Sequence, residues 1–165
     1  LKYTLDHIGR GAERSGRTLN DIYVTVVTAF HLRKPDEDLA ALQQIVGPLV
    51  TSECNIFALS VKDPFQLPGD IRDDLMAFKY AYRQPTAPIE TRHLELYSGY
   101  CEEFKPEHAP LVTEKMIRET PLTGTATELQ ERVQMMKSLG VSQVSIAGGA
   151  KEIGEFAEHV IPYID

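Results

Sequence analysis

Cysteine is scarce here. Cys54 and Cys101 stand alone, with no second cysteine or histidine at ligand spacing. They read as reduced structural thiols in a reducing compartment, which excludes a disulfide scaffold and leaves no metal site to expect. Long apolar runs are missing too. No stretch approaches the roughly 18 uninterrupted apolar residues that span a bilayer, and no basic leader precedes an apolar segment with a cleavage site. The expectation is a soluble, cytoplasmic protein without a membrane partner. Basic clusters are also absent: 17 Lys and Arg are scattered among 24 Asp and Glu, giving a net charge of -7. That balance argues against nucleic acid, whose phosphates need a basic stripe.

The chain does hold enough apolar content for one ordinary core, at 42% of 165 residues, so a single globular domain over 1–165 is the default reading. Its clearest pattern lies near the carboxyl end. Thr125 and Thr127 suit the first turn of a helix, and Leu129, Val133, Met136 and Leu139 recur at three- and four-residue spacing to make one apolar face. Gly140 ends the helix, Val144-Ser145-Ile146 reads as a short buried strand, and Gly148-Gly149 marks its carboxyl end before a closing helix. Helix and strand joined by so short a loop form one repeat of a parallel α/β protein.

Toward the start, Leu5, Ile8 and Ala12 mark a helix already under way, which suggests a piece of something longer. Gly16-Arg17 stops it. The run from Ile22 to Phe30 is β-branched and too apolar for an exposed strand, so a buried strand is predicted, with His31, Leu32 and Arg33 after its carboxyl end. A helix is predicted from about Asp36, with Leu39, Leu42, Ile45 and Val46 on its inner face and acidic residues at its positive end. Gly47-Pro48 is expected to break it, and the apolar segment from Leu49 to Leu59 to form a well-buried helical stretch. Beyond a loop enclosed by Pro64, Pro68 and Gly69, a helix carries Ile71, Leu75, Phe78 and Tyr82, with Asp70, Asp73 and Asp74 at its start. Leu94, Tyr97 and Cys101 are expected to share a helical face, and Thr113 to cap a helix before Pro121. Residues 34–121 therefore read as a mostly helical insertion between two strands.

Ligands of parallel α/β proteins sit at the carboxyl ends of strands, where glycines allow close approach and helix starts offer amides to anions. Gly148, Gly149, Ala150 and Lys151 occupy such a place. Their spacing matches neither the P-loop nor the dinucleotide fingerprint, and a plain tight turn is the ordinary alternative. His31 at a strand end has the chemistry to polarise a carbonyl or carry a proton near neutral pH, although capping or packing is the commoner role. His93 and Tyr97 lie one helical turn apart, within reach of a pocket or simply packed with their polar tips hydrogen-bonded. Arg92 reads as solvated or paired with Glu90 or Glu95.

Three segments carry a resemblance. GAERSGRTLNDIYVTV, from Gly11 to Val26, resembles the helix, AGR turn and seventh strand of the luciferase-like monooxygenase superfamily, with Ser15 in place of the turn's alanine. RHLELYSGYCEEF, from Arg92 to Phe104, resembles an RHL-x-x-Y-x-G-H segment of its deazaflavin-type members, with Tyr100 where histidine is usual. TGTATELQERVQMMKSLGVSQVSI, from Thr123 to Ile146, resembles the helix leading into the eighth strand. Where many relatives carry glycine-proline-aspartate, this chain has Gly149-Ala150-Lys151.

The resemblance covers nearly the whole chain. It implies an α/β fold, a partial (β/α)8 TIM barrel carrying the last two strands, the full barrel needing about 200 residues or more. It implies a flavin- or deazaflavin-dependent oxidoreductase using FMN or coenzyme F-420 and acting on a small molecule at the barrel mouth. On that view Ala147, Gly148, Gly149 and Lys151 lie toward the cofactor, His31 is the catalytic candidate, and Arg33, His93 and Tyr97 lie toward the substrate. Two other readings compete: a noncatalytic partial-barrel relative, and a self-standing α/β module that binds partners. Open strand edges imply a homo-oligomer or association with the missing part of the barrel.

Overall fold

A computed structural model describes residues 1–60, 67, 69, 71–82, 86–96 and 99–164. The chain divides into two compact units, one of Leu1–Arg33 with Leu122–Asp165, the other of Lys34–Pro121.

The first unit is built on a parallel sheet of order β2-β1-β3, with β1 at Thr25–Leu32, β2 at Leu122–Gly124 and β3 at Gln143–Ala147. β1 pairs with β3 from Thr25↔Gln143 to Ala29↔Ala147, while its last residues pair with β2 from Phe30↔Leu122 to Leu32↔Gly124. The sheet is thus three-stranded, where the sequence pattern predicts two strands. At three residues, between a proline and a glycine-threonine helix start, β2 is too short to show any period. The first strand also runs two residues past its predicted end, so His31 lies within β1 and only Arg33 follows it.

Burial corrects a second expectation. A fully apolar parallel strand implies helices on both faces, yet every residue of β3 is at least partly exposed and Val27 is 72% exposed. Cover comes to one face only, from α6 (Ala126–Ser138) and α7 (Ala150–His159). Phe30 and Leu122 pack there with Leu129, Val133, Met136 and Val160, and the Phe30 and Phe156 rings meet edge to face at 5.2 Å. Because side chains alternate along a strand, Val27 and its register partner Ser145 fall on the other face.

Local chemistry starts and stops these helices where the sequence suggests. Thr125 caps α6 through a reciprocal box: Glu128 N–H donates to Thr125 Oγ1 at 3.4 Å and Thr125 N–H donates to Glu128 Oε2 at 2.8 Å. Thr127 lies inside the helix. Gly140 ends the turn after α6 with φ +92°, a left-handed conformation natural to glycine. Upstream, α1 spans Lys2–Glu13 and buries Leu5 and Ala12.

The second unit is helical. α2 runs unbroken from Leu39 to Ser60 and carries Pro48 in its interior, against the predicted break. Its stripe has a four-residue step, Leu42, Val46, Val50, Cys54 and Ala58, all buried, and burying it outweighs the missing Pro48 amide. Gly47 serves packing here: a Cβ would fall 2.5 Å from the Phe104 ring. Leu39, Ile45, Ile56 and Phe57 are exposed, so the inner face is narrower than predicted.

Against the stripe pack Leu75 and Phe78 of α3 (Arg72–Ala81), Val112, and Met116 and Ile117 of α5 (Glu114–Glu119). Thr113 caps α5, its Oγ1 accepting the Met116 N–H at 3.2 Å. The helix α4 covers only Arg92–Leu96. Leu94 is 65% exposed, and Cys101 sits in a turn at φ +61°, so the predicted face shared with Cys101 does not form. Tyr97, Pro64, Pro68 and Asp70 lie outside the described residues.

Candidate functional site at the carboxyl end of the sheet

The parallel register brings several strand ends together. His31 of β1 lies beside Thr123 of β2, and both are buried, at 5% and 4% exposure. Arg33 N–H donates to Gly124 O at 2.9 Å, which ties the two strands at their last residues. Thr123 Oγ1 is enclosed and has no hydrogen-bond partner among the described residues. Leaving such a hydroxyl unsatisfied costs about 1–3 kcal/mol. β3 ends alongside Ala29, two residues short of His31.

Two strand-to-helix turns on this edge share one construction. After β2 come Gly124, Thr125 and, three residues on, Glu128; after β3 come Gly148, Gly149 and, three residues on, Glu152. In each, the glutamate folds back over its own helix start. Glu128 Oε2 accepts the Thr125 N–H, and Glu152 Oε2 accepts the Gly149 N–H at 2.9 Å. In each, the glutamate takes up the space beside the preceding glycine, a Cβ on Gly148 falling 2.7 Å from Glu152 Cβ and one on Gly124 falling 3.0 Å from Glu128 Oε2. The Glu152 carboxyl is held below the usual range by the backbone amides of Glu152 and Gly149, with smaller help from the charges of Lys151 and His31. Glu152 is therefore an anion within the electrostatic reach of His31.

This geometry bears on each sequence candidate. The Gly149 amide, expected to face a cofactor, already serves Glu152. A flavin phosphate does not fit at this helix start as it stands, because a carboxylate fills the place an anion would take. Lys151 pairs with Glu155 one turn along at 3.8 Å and is well exposed. Ala147 and Gly148 are exposed at the end of β3. His31, Arg33, Ala147, Gly148, Gly149 and Lys151 all belong to the sheet unit, whereas His93 is an exposed residue of α4 in the helical unit; Tyr97 is not among the described residues. Thr123 and Glu152 join the site without having been singled out. The matching G-x-A-x-E spacings at 124–128 and 148–152 were the available signal for the glutamate.

No protein-family model matches this chain, and no curated protein matches it either. Among the described residues no helix is long and apolar enough to cross a membrane, and no group of three His, Cys, Asp or Glu side chains could hold a metal ion.

Proposed function

We propose that this chain is the carboxyl-terminal part of a luciferase-like barrel, contributing adjacent staves to a flavin- or deazaflavin-dependent oxidoreductase that uses FMN or coenzyme F-420. The supporting observation is the parallel pairing of β1 with β3, clothed by helices on one face and bare on the other. An open face of Val27, Ser145 and their neighbours is what the interior of an incomplete cylinder would present.

Within that enzyme the chain's role lies on the substrate side. His31 is the proton-carrying group, oriented in the field of the Glu152 carboxylate, and the Thr123 hydroxyl is placed to donate to a substrate oxygen. The phosphate of the cofactor is held elsewhere in the protein, since the amides here are taken. When bound, the flavin or deazaflavin supplies the hydride chemistry.

Fluorescence quenching on titrating FMN and coenzyme F-420 into the intact protein that bears this sequence tests the reading. One cofactor binds at 1:1, and His31→Gln lowers kcat by about 100-fold, the usual scale for losing an acid-base group, while leaving cofactor affinity unchanged. Failure of both cofactors to bind overturns it. The partner-binding reading differs at the isolated chain: a self-standing module sediments as a stable monomer, whereas bare strand edges and an open face drive association.

A further inference from the structure

The helical unit holds a cleft of about 440 Å³, within the usual size of small-molecule sites, to which none of the foregoing assigns a role. Two side chains on its wall are unusual. Thr51 is 4% exposed and His108 9% exposed, and among the described residues Thr51 Oγ1 and His108 Nδ1 have no hydrogen-bond partner. The neighbouring Ser52 shows the contrast: its hydroxyl donates to Pro48 O at 2.9 Å and accepts the Cys101 N–H at 3.1 Å. Buried polar atoms without partners are rare in folded proteins, and two on one cleft call for an occupant that bonds to them.

The charge around the cleft narrows the chemistry. Glu95, Glu103 and Glu107 line it against the single Lys105. An anion would meet net repulsion there, while a cation gains from three carboxylates in a partly desolvated recess. We propose that this cleft binds a small protonated amine, whose N–H groups donate to Thr51 Oγ1 and His108 Nδ1 and whose charge faces Glu95, Glu103 and Glu107. The imidazole is suited to accept. Burial holds its pKa below the ordinary histidine value, so the ring stays neutral and keeps one nitrogen lone pair for a donor. Tyr82, its ring centroid 5.4 Å from that of His108, adds a hydroxyl kept protonated by burial and by the Glu107 charge.

This inference is independent of the oxidoreductase reading and is tested on the 165-residue chain itself. Three four-carbon probes differ only at their ends: putrescine, 1,4-butanediol and succinate. Calorimetry at about 150 mM salt, where long-range attraction to an acidic protein is screened, gives saturable 1:1 binding of putrescine. Butanediol and succinate bind at least about tenfold more weakly, the scale of one charge-assisted hydrogen bond. Thr51→Val keeps the shape, removes an acceptor and weakens putrescine about tenfold; Glu107→Gln weakens it about threefold. Should either variant fail to fold, the His108 ring resonances of the unmodified chain decide, since putrescine shifts them and butanediol does not. Absence of saturable putrescine binding, butanediol binding as tightly as putrescine, unshifted His108 resonances, or full affinity in Thr51→Val overturns the proposal.

Discussion

In the helical unit Leu42, Phe78, Met116 and Ile117 are each 1% exposed, whereas in the sheet unit Val27 is 72% exposed and all of β3 is reached by solvent. The two regions are about equally apolar in their patterning, so the difference lies in geometry. A helix stripe at four-residue spacing, such as Leu42 to Ala58, is covered by helices that follow within a few tens of residues, and the unit seals itself. A strand presents two faces at once, and α6 and α7 cover only one of them. What the contrast teaches is that the helical unit is energetically complete, while the sheet unit has capacity for a partner on its bare face.

The sharpest way to break this comparison is one core deletion in each style of packing. Phe78 stacks on Tyr82 with ring centroids 4.9 Å apart, and Phe78→Ala should cost about 3–5 kcal/mol in urea denaturation. Val27→Thr, on the open face, should stay within about 0.5 kcal/mol. Comparable losses at the two positions would mean that the face is covered in solution.

A middle-sized effect separates two glycines of the sheet unit. At Gly148 an added Cβ meets Glu152 Cβ, a group close to the backbone that yields only by moving the side chain that caps α7. Gly148→Ala should lose about 1–2 kcal/mol, the worth of a helix cap. Gly154, inside α7 with nothing within 4 Å of its Cβ position, should gain about 0.5–1 kcal/mol on change to alanine. Thermal midpoints of the two variants on opposite sides of the parent confirm the contrast; a gain at Gly148 would show that Glu152 is not held as described.

The sequence made the long elements legible because they repeat their signal. α6 announces itself through Thr125, an apolar face and Gly140, and the Thr113 cap was equally plain. β2 could not be seen: Leu122, Thr123 and Gly124 carry no period, and only pairing with Phe30 to Leu32 makes them a strand. Pro48 misled because propensity is local, while the stripe that carries α2 through it spans five turns. The site was legible only in part. His31 stands at the end of an apolar run and draws the eye, but Thr123 acquires meaning through register, and Glu152 through the fold-back over Gly148 that no linear reading displays. The unpartnered Thr51 and His108, 57 positions apart in the chain, meet on one wall only in three dimensions.

The smallest expected effect has a sign that differs between the units. Glu53, on α2, is partly buried, and burial raises its carboxyl pKa; the same environment, with the charges of Glu53 and Asp74, pushes the Cys54 thiol up to about 12. A folded-state value above the unfolded one means that the native protein binds the extra proton more tightly. Its contribution is fully present below the ordinary glutamate value of about 4.3 and is lost as pH rises through the raised value. At pH 7 an ionised Glu53 therefore weighs against the fold, and Glu53→Gln should raise the melting temperature there. Glu152 runs the other way: its lowered pKa contributes above the ordinary value and fades as pH falls through the folded one, so Glu152→Gln should lower the melting temperature at pH 7. Melting curves from pH 7 down to 3.5 should show the gain of the first variant and the loss of the second both shrinking toward the parent. A pH-independent gap for Glu53→Gln would trace its effect to packing in place of charge, and the helical unit would then lose its claim to a core dry enough to disfavour an ionised carboxylate.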